Sequence, residues 1–187
     1  ESIMDDDAYA ADSLIRLIDP NSIRNKETQA RYALLYTAAE YKNYEDILRD
    51  SLIMTAVRHY SIDNNIDYRF LSYYYLGCVY FELERYRDAA VAYTQAEQLA
   101  DRISNDYWKG LLYSQLGEIF NKSCDYRRAH EYFVRALSCF ERSGKELHRL
   151  YALFDVGRTI LNLQEFSSAD SILRIVENKS IEIGDST

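Results

Sequence analysis

The sequence predicts an all-α fold, a right-handed superhelix of stacked helical hairpins with about nine helices, and three observations predict it. Six glycines and one proline in 187 residues are too few for an all-β chain, which turns every ~8–12 residues. With 48% of its residues apolar, the chain has enough material to bury a core. It also repeats at a period of forty: Gly77, Gly117 and Gly157 are each followed twelve residues later by an alanine, Ala89, Ala129 and Ala169.

The elements follow in order. Residues 1–20 hold a leading helix over 3–18, because Ala10, Leu14, Leu17 and Ile18 recur at helical spacing and Asp19-Pro20-Asn21 stops them. A degenerate repeat spans 24–64, with helices over 24–42 and 46–61. There Leu34-Leu35 followed by Tyr44-Glu45-Asp46 aligns with Leu76-Gly77 followed by Tyr86-Arg87-Asp88. Full repeats then occupy 66–105, 106–145 and 146–184, giving helices over 66–83 and 86–102, 106–122 and 126–142, and 146–162 and 166–181. The short connections are Leu83-Glu84-Arg85, Ser123-Cys124-Asp125 and Leu163-Gln164-Glu165. Residues 1–187 are read as one domain.

The first helices share Tyr73-x-x-Leu76-Gly77-x-x-Tyr80, Tyr113-x-x-Leu116-Gly117-x-x-Phe120 and Leu153-x-x-Val156-Gly157-x-x-Ile160. The second helices share Ala89-x-x-x-Tyr93-x-x-Ala96, Ala129-x-x-x-Phe133-x-x-Ala136 and Ala169-x-x-x-Leu173-x-x-Val176. Small residues let paired helices approach and large ones fill the gaps, so glycine is expected to meet alanine across each hairpin. These motifs resemble the tetratricopeptide repeat (TPR) family. The period of forty would also suit a HEAT array, but the twelve-residue glycine-to-alanine interval matches the tetratricopeptide pattern. The residues beyond the usual ~34-residue repeat then fall between repeats.

Arg31-Tyr32-Ala33-Leu34-Leu35-Tyr36, Asp50-Ser51-Leu52-Ile53 and Tyr73-Tyr74-Tyr75-Leu76-Gly77 resemble the TPR proteins of Bacteroides-type bacteria. That resemblance implies the sensing or docking half of a larger envelope regulator, extracytoplasmic in location with a cytoplasmic setting as the alternative. A start at Glu1 without methionine and a polar tail after Gly184 suit a trimmed piece of something longer.

Charge and reactive residues narrow the function. A net charge of −8 argues against nucleic acid, whose affinity comes from clustered Lys and Arg. Cys78, Cys124 and Cys139 lack metal-ligand spacing and are odd in number, which suits buried small hydrophobes. No apolar run is long enough to insert in a membrane. His59, His130 and His148 fall on separate helices, and no nucleophile or phosphate-loop motif accompanies them. The expectation is a non-enzyme without cofactor or metal.

Eighteen tyrosines are the remaining signal. Tyr44, Tyr73, Tyr80, Tyr86, Tyr93, Tyr113 and Tyr126 fall on interior pattern positions. Counting round the first helices puts Tyr32, Tyr36, Tyr74, Cys78, Phe81, Ser114, Glu118, Asn121, Phe154, Arg158 and Leu161 on the concave wall. Aromatic residues make favourable interface anchors, so that wall suits a peptide or partner helix. In chaperone-binding TPR proteins Lys and Asn clamp a terminal carboxylate. The matching positions here are Tyr74, Cys78, Ser114, Glu118 and Arg158, so an acidic C-terminal tail is not the expected ligand. The alternative is a scaffold that self-associates through its C-terminal hairpin, by an exposed stripe of Ile172, Ile175 and Val176.

Overall fold

The computed structural model describes residues 8–182 and 184. They form nine α-helices and two short 3-10 turns, with no strand among the described residues. They fall into two compact units that divide after Ile103.

The first unit contains α1 (Ala8–Ile15), α2 (Lys26–Lys42), α3 (Ile53–Tyr60), α4 (Ile66–Glu82) and α5 (Tyr86–Glu97). The second contains α6 (Asp106–Lys122), α7 (Tyr126–Ser143), α8 (Glu146–Asn162) and α9 (Phe166–Glu182). Within each unit helices adjacent in sequence pack on one another, and in the first unit α2 also packs directly on α4.

Repetition is written into the helix ends. Asn25, Asn65 and Asn105 stand forty residues apart as N-caps of α2, α4 and α6, each accepting a backbone N–H three residues on at 3.0–3.2 Å. Such a cap satisfies one of the orphan donors of a first turn. At the other end, Tyr44, Glu84, Cys124 and Gln164 all adopt φ of 55–66°, again forty apart. In each hairpin the next residue's N–H returns to a carbonyl five positions earlier: Glu45 to Glu40, Arg85 to Tyr80, Asp125 to Phe120 and Glu165 to Ile160. This left-handed residue with its long backbone bond ends the first helix and aims the chain back along it.

The four-fold turn corrects the sequence alignment of the degenerate repeat. Tyr44 corresponds to Glu84 rather than to Tyr86, so it occupies the turn and is 96% exposed instead of filling the hairpin. The helix expected over 46–61 begins only at Ile53. In the residues preceding it, Glu45 pairs with Arg16 at 2.5 Å and Asp50 with Arg85 at 3.2 Å. The helix expected over 86–102 ends at Glu97 and gives way to a 3-10 turn at Ala100–Arg102. The leading helix ends at Ile15, and its expected start before residue 8 lies outside the described residues.

The packing across each hairpin differs from the expected meeting of small with small. A Cβ built on Gly77 would lie 2.3 Å from the Tyr93 ring, one on Gly117 2.7 Å from Phe133, and one on Gly157 2.9 Å from Leu173. The glycine thus receives the large side chain sixteen residues on, and the alanine four residues before that large residue is wholly buried beside it. In the second unit Ala129, Phe133 and Val156 form the core, flanked by Phe120, Leu137, Ile160 and Ile172.

Candidate functional sites in the two units

In the first unit Tyr32, Tyr36 and Glu40 succeed one another at four-residue intervals, which places them on one face of α2. The two rings lie 5.6 Å apart, tilted by 40°. They and Glu40 line a cleft of about 670 Å³, closed on other sides by Pro20 and by Asp46, Arg49, Leu52 and Thr55. Arg16, just past α1, bonds Asp12 at 2.7 Å and Glu45 at 2.5 Å. Its guanidinium also donates to the Tyr36 hydroxyl at 3.0 Å and stands 5.2 Å from the ring centre. Burial, then the Glu45 charge, pushes the Glu40 carboxyl above its ordinary range. Burial likewise raises the Tyr32 and Tyr36 phenols.

Two residues expected on this wall are in the interior instead. Tyr74 is 2% exposed and Cys78 is 0% exposed. The Tyr74 ring packs on those of Phe70, Tyr75 and Tyr93, with centroids 5.1–6.5 Å apart. Hydroxyls of Tyr93, Tyr74 and Tyr41 converge on the Cys78 thiol, which burial pushes up to about 12. The cause is α2, whose packing on α4 covers the face that counting round α4 alone leaves open. Phe81 is half-buried, edge-on to Tyr86 with centroids 5.3 Å apart.

In the second unit α6 presents half-buried Ser114, Glu118 and Asn121. Arg158 of α8 reaches Glu118 at 2.7 Å and Asp155 at 2.8 Å, and the Asn121 amide donates to Glu118 at 3.3 Å. Burial raises the Asp155 carboxyl to about 6 against the opposing pull of Arg158. The position after the repeat glycine is therefore a buried thiol at Cys78 and one end of an ion pair at Glu118 and Arg158.

Phe154 and Leu161 are exposed on α8, and they belong to a longer feature. Leu147, Tyr151, Phe154 and Leu161 are each 41–46% exposed, and Arg158 sits between the last two. Offsets of four, seven, eleven and fourteen residues from Leu147 trace one helix face. The sequence reading missed Leu147 and Tyr151, although the same spacing marks them. It also missed Glu40, which lies one turn beyond Tyr36.

The C-terminal stripe expected to drive self-association is mostly covered. Val176 is 8% exposed and Ile172 packs against the core of the second unit, leaving Ile175 alone of the three substantially exposed. Among the described residues no three His, Cys, Asp or Glu are grouped to hold a metal, and no helix is long and apolar enough to cross a membrane.

No family model matches the chain, and no curated protein sequence matches it. Among solved structures it is similar to aspartyl phosphate phosphatase F from Bacillus subtilis, with a TM-score of 0.75 and 18% identity over 88% of this chain and 43% of that one. It is also similar to BtubC from P. vanneervenii, with a TM-score of 0.68 and 16% identity over 90% of this chain and 69% of that one. The likeness is one of fold, all-helical and repetitive. The chain spans less than half the length of the phosphatase.

Proposed function

We propose that this chain is a TPR-type protein-interaction module, the docking part of a larger regulatory protein, and that it binds a partner helix along α8. The observation that carries this reading is the exposed face formed by Leu147, Tyr151, Phe154 and Leu161. Fourteen residues of helix give a stripe about 21 Å long, the reach of an amphipathic helix that docks its own anchors at matching spacing. Arg158 interrupts the stripe with a polar group already held by two carboxylates. That group sets two carboxylates, Glu118 and Asp155, against one guanidinium and favours a partner with a basic residue beside its apolar face. The role assigned is binding rather than catalysis. The resemblance to Bacteroides-type proteins directs the search for the partner to the cell envelope.

The test pairs the parent domain with Tyr151→Ala/Phe154→Ala in affinity capture from the source cell's envelope fraction, followed by titration of the captured protein. Each truncated anchor is expected to weaken binding by about 1–3 kcal/mol, with thermal unfolding unchanged because both rings lie outside the core. Equal retention by parent and variant would remove α8 as the docking face.

A further inference from the structure

The surface of the first unit carries a recurring set: a tyrosine ring, a carboxylate and a guanidinium. Arg85 lies 4.2 Å from the Tyr80 ring centre and pairs with Asp50 at 3.2 Å and Asp88 at 2.7 Å. Arg16 does the same over Tyr36, with Asp12 and Glu45. A guanidinium in such a set gains both the attraction of the ring face and charge-assisted hydrogen bonds.

One set lacks its cation. In the cleft on α2, Tyr32 stands against Tyr36 while Glu40 and Asp46 line the same space. No hydrogen bond or ion pair of the Glu40 or Asp46 carboxylate exists among the described residues, and no cation lies over Tyr32. Glu40 is also partly desolvated, and the repulsion of Glu45 exceeds the attraction of Arg16, which is already bonded to Asp12 and Glu45. A carboxylate in that position is stabilised by any cation delivered to it. The cleft volume of about 670 Å³ admits a long side chain with its flanking backbone.

We propose that this cleft binds an arginine side chain presented by a peptide segment, with the guanidinium packed on Tyr32 and paired to Glu40. Tyr36 is fixed by Arg16 from the α1 side, so the aromatic wall is set before the ligand arrives. Leu52 and Ile47 cover the aliphatic stem. Arg49 also lines the cleft, and its attraction is the weakest of the charge influences on Glu40. It acts as a competitor for the carboxylates rather than as the ligand's partner. The site lies within the first unit and is independent of the α8 face.

The test is amide chemical-shift titration of the intact chain with three probes: acetyl-arginine amide, acetyl-lysine amide and the uncharged near-isostere acetyl-citrulline amide. The arginine probe is expected to shift amides at Tyr32, Tyr36, Glu40 and Thr55. Citrulline should bind on the order of ten-fold more weakly, with lysine between them. Glu40→Gln should reduce arginine binding to the citrulline level, Arg49→Gln should strengthen it, and Tyr151→Ala should leave it unchanged. Asp46→Asn, on the irregular segment, gives a second reading if Glu40→Gln perturbs α2. Equal binding of arginine and citrulline, absence of shifts in the cleft, or loss of binding in Arg49→Gln would each overturn the proposal. The last would mark an anion site.

Discussion

Replacing the repeat glycines by alanine separates local helix preference from packing. In a helix interior alanine is favoured over glycine by about 1 kcal/mol, so propensity alone makes all three changes stabilising. The structure orders them differently. At Gly77 the new methyl would lie 2.3–2.8 Å from three ring carbons of Tyr93, a wholly buried ring whose hydroxyl is anchored at Cys78. Overpacking of this kind costs about 1–3 kcal/mol. With the ring unable to swing, the upper value applies, and after the propensity gain the net loss is about 2 kcal/mol. At Gly117 the clash with Phe133 is milder, at 2.7–2.9 Å, and no hydroxyl pins the ring, so the net loss falls to about 1 kcal/mol. At Gly157 the nearest atom is the Leu173 Cδ2 at 2.9 Å, the end of a flexible side chain, and the two effects cancel to within roughly 0.5 kcal/mol. Urea unfolding followed by far-ultraviolet circular dichroism measures each variant. Tyr93→Leu, the residue type at the equivalent third-repeat position, should recover most of the Gly77→Ala loss in a double-mutant cycle. A higher urea midpoint for Gly77→Ala than for the parent, or the reverse order of the three, would refute the reasoning.

Further outcomes follow from other features. Tyr74→Ala should destabilise by about 3–5 kcal/mol, because its ring is enclosed by three others, whereas Tyr36→Ala should leave the thermal midpoint close to that of the parent; equal losses would contradict the burial. Glu84→Gly should raise stability by about 0.5–1 kcal/mol, since a left-handed residue with a side chain costs energy that glycine avoids; a loss in urea midpoint would count against the turn geometry. Asp155 titrates higher in the fold, at about 6, than its ordinary 3.8. The folded state therefore holds the extra proton, and this group's contribution is fully present below pH 3.8 and lost as pH rises through about 6. Asp155→Asn should flatten that decline when urea midpoints are compared across the window.

Helix positions in the second unit were legible because glycine, alanine and aromatic residues recur there at one spacing and each of α6 to α9 packs chiefly on its neighbour in sequence. The first unit was less so. Its turn at Tyr44 keeps the period through backbone conformation, φ 55°, while the side chain there no longer resembles its counterparts. The asparagine caps carried the same period in plain sight and would have fixed the register. Tyr74 and Cys78 were misplaced because counting round one helix cannot register a second helix lying across it, as α2 lies on α4. Spacing puts Glu118 and Arg158 at equivalent repeat positions, but the ion pair between them depends on side-chain reach between α6 and α8, which spacing does not encode.

The three thiols give the molecule a set of internal clocks. Cys124 is exposed, whereas Cys78 is buried in the first unit and Cys139 in the second. An alkylating reagent would consume Cys124 at once and reach the other two only when the structure around each opens. The labelling rate of Cys78 thus reports the opening of α4 against α2 and α5, and that of Cys139 the opening of the second unit. Their ratio, read from a single native sample by mass spectrometry, tells whether the two halves of the chain breathe together or on separate schedules.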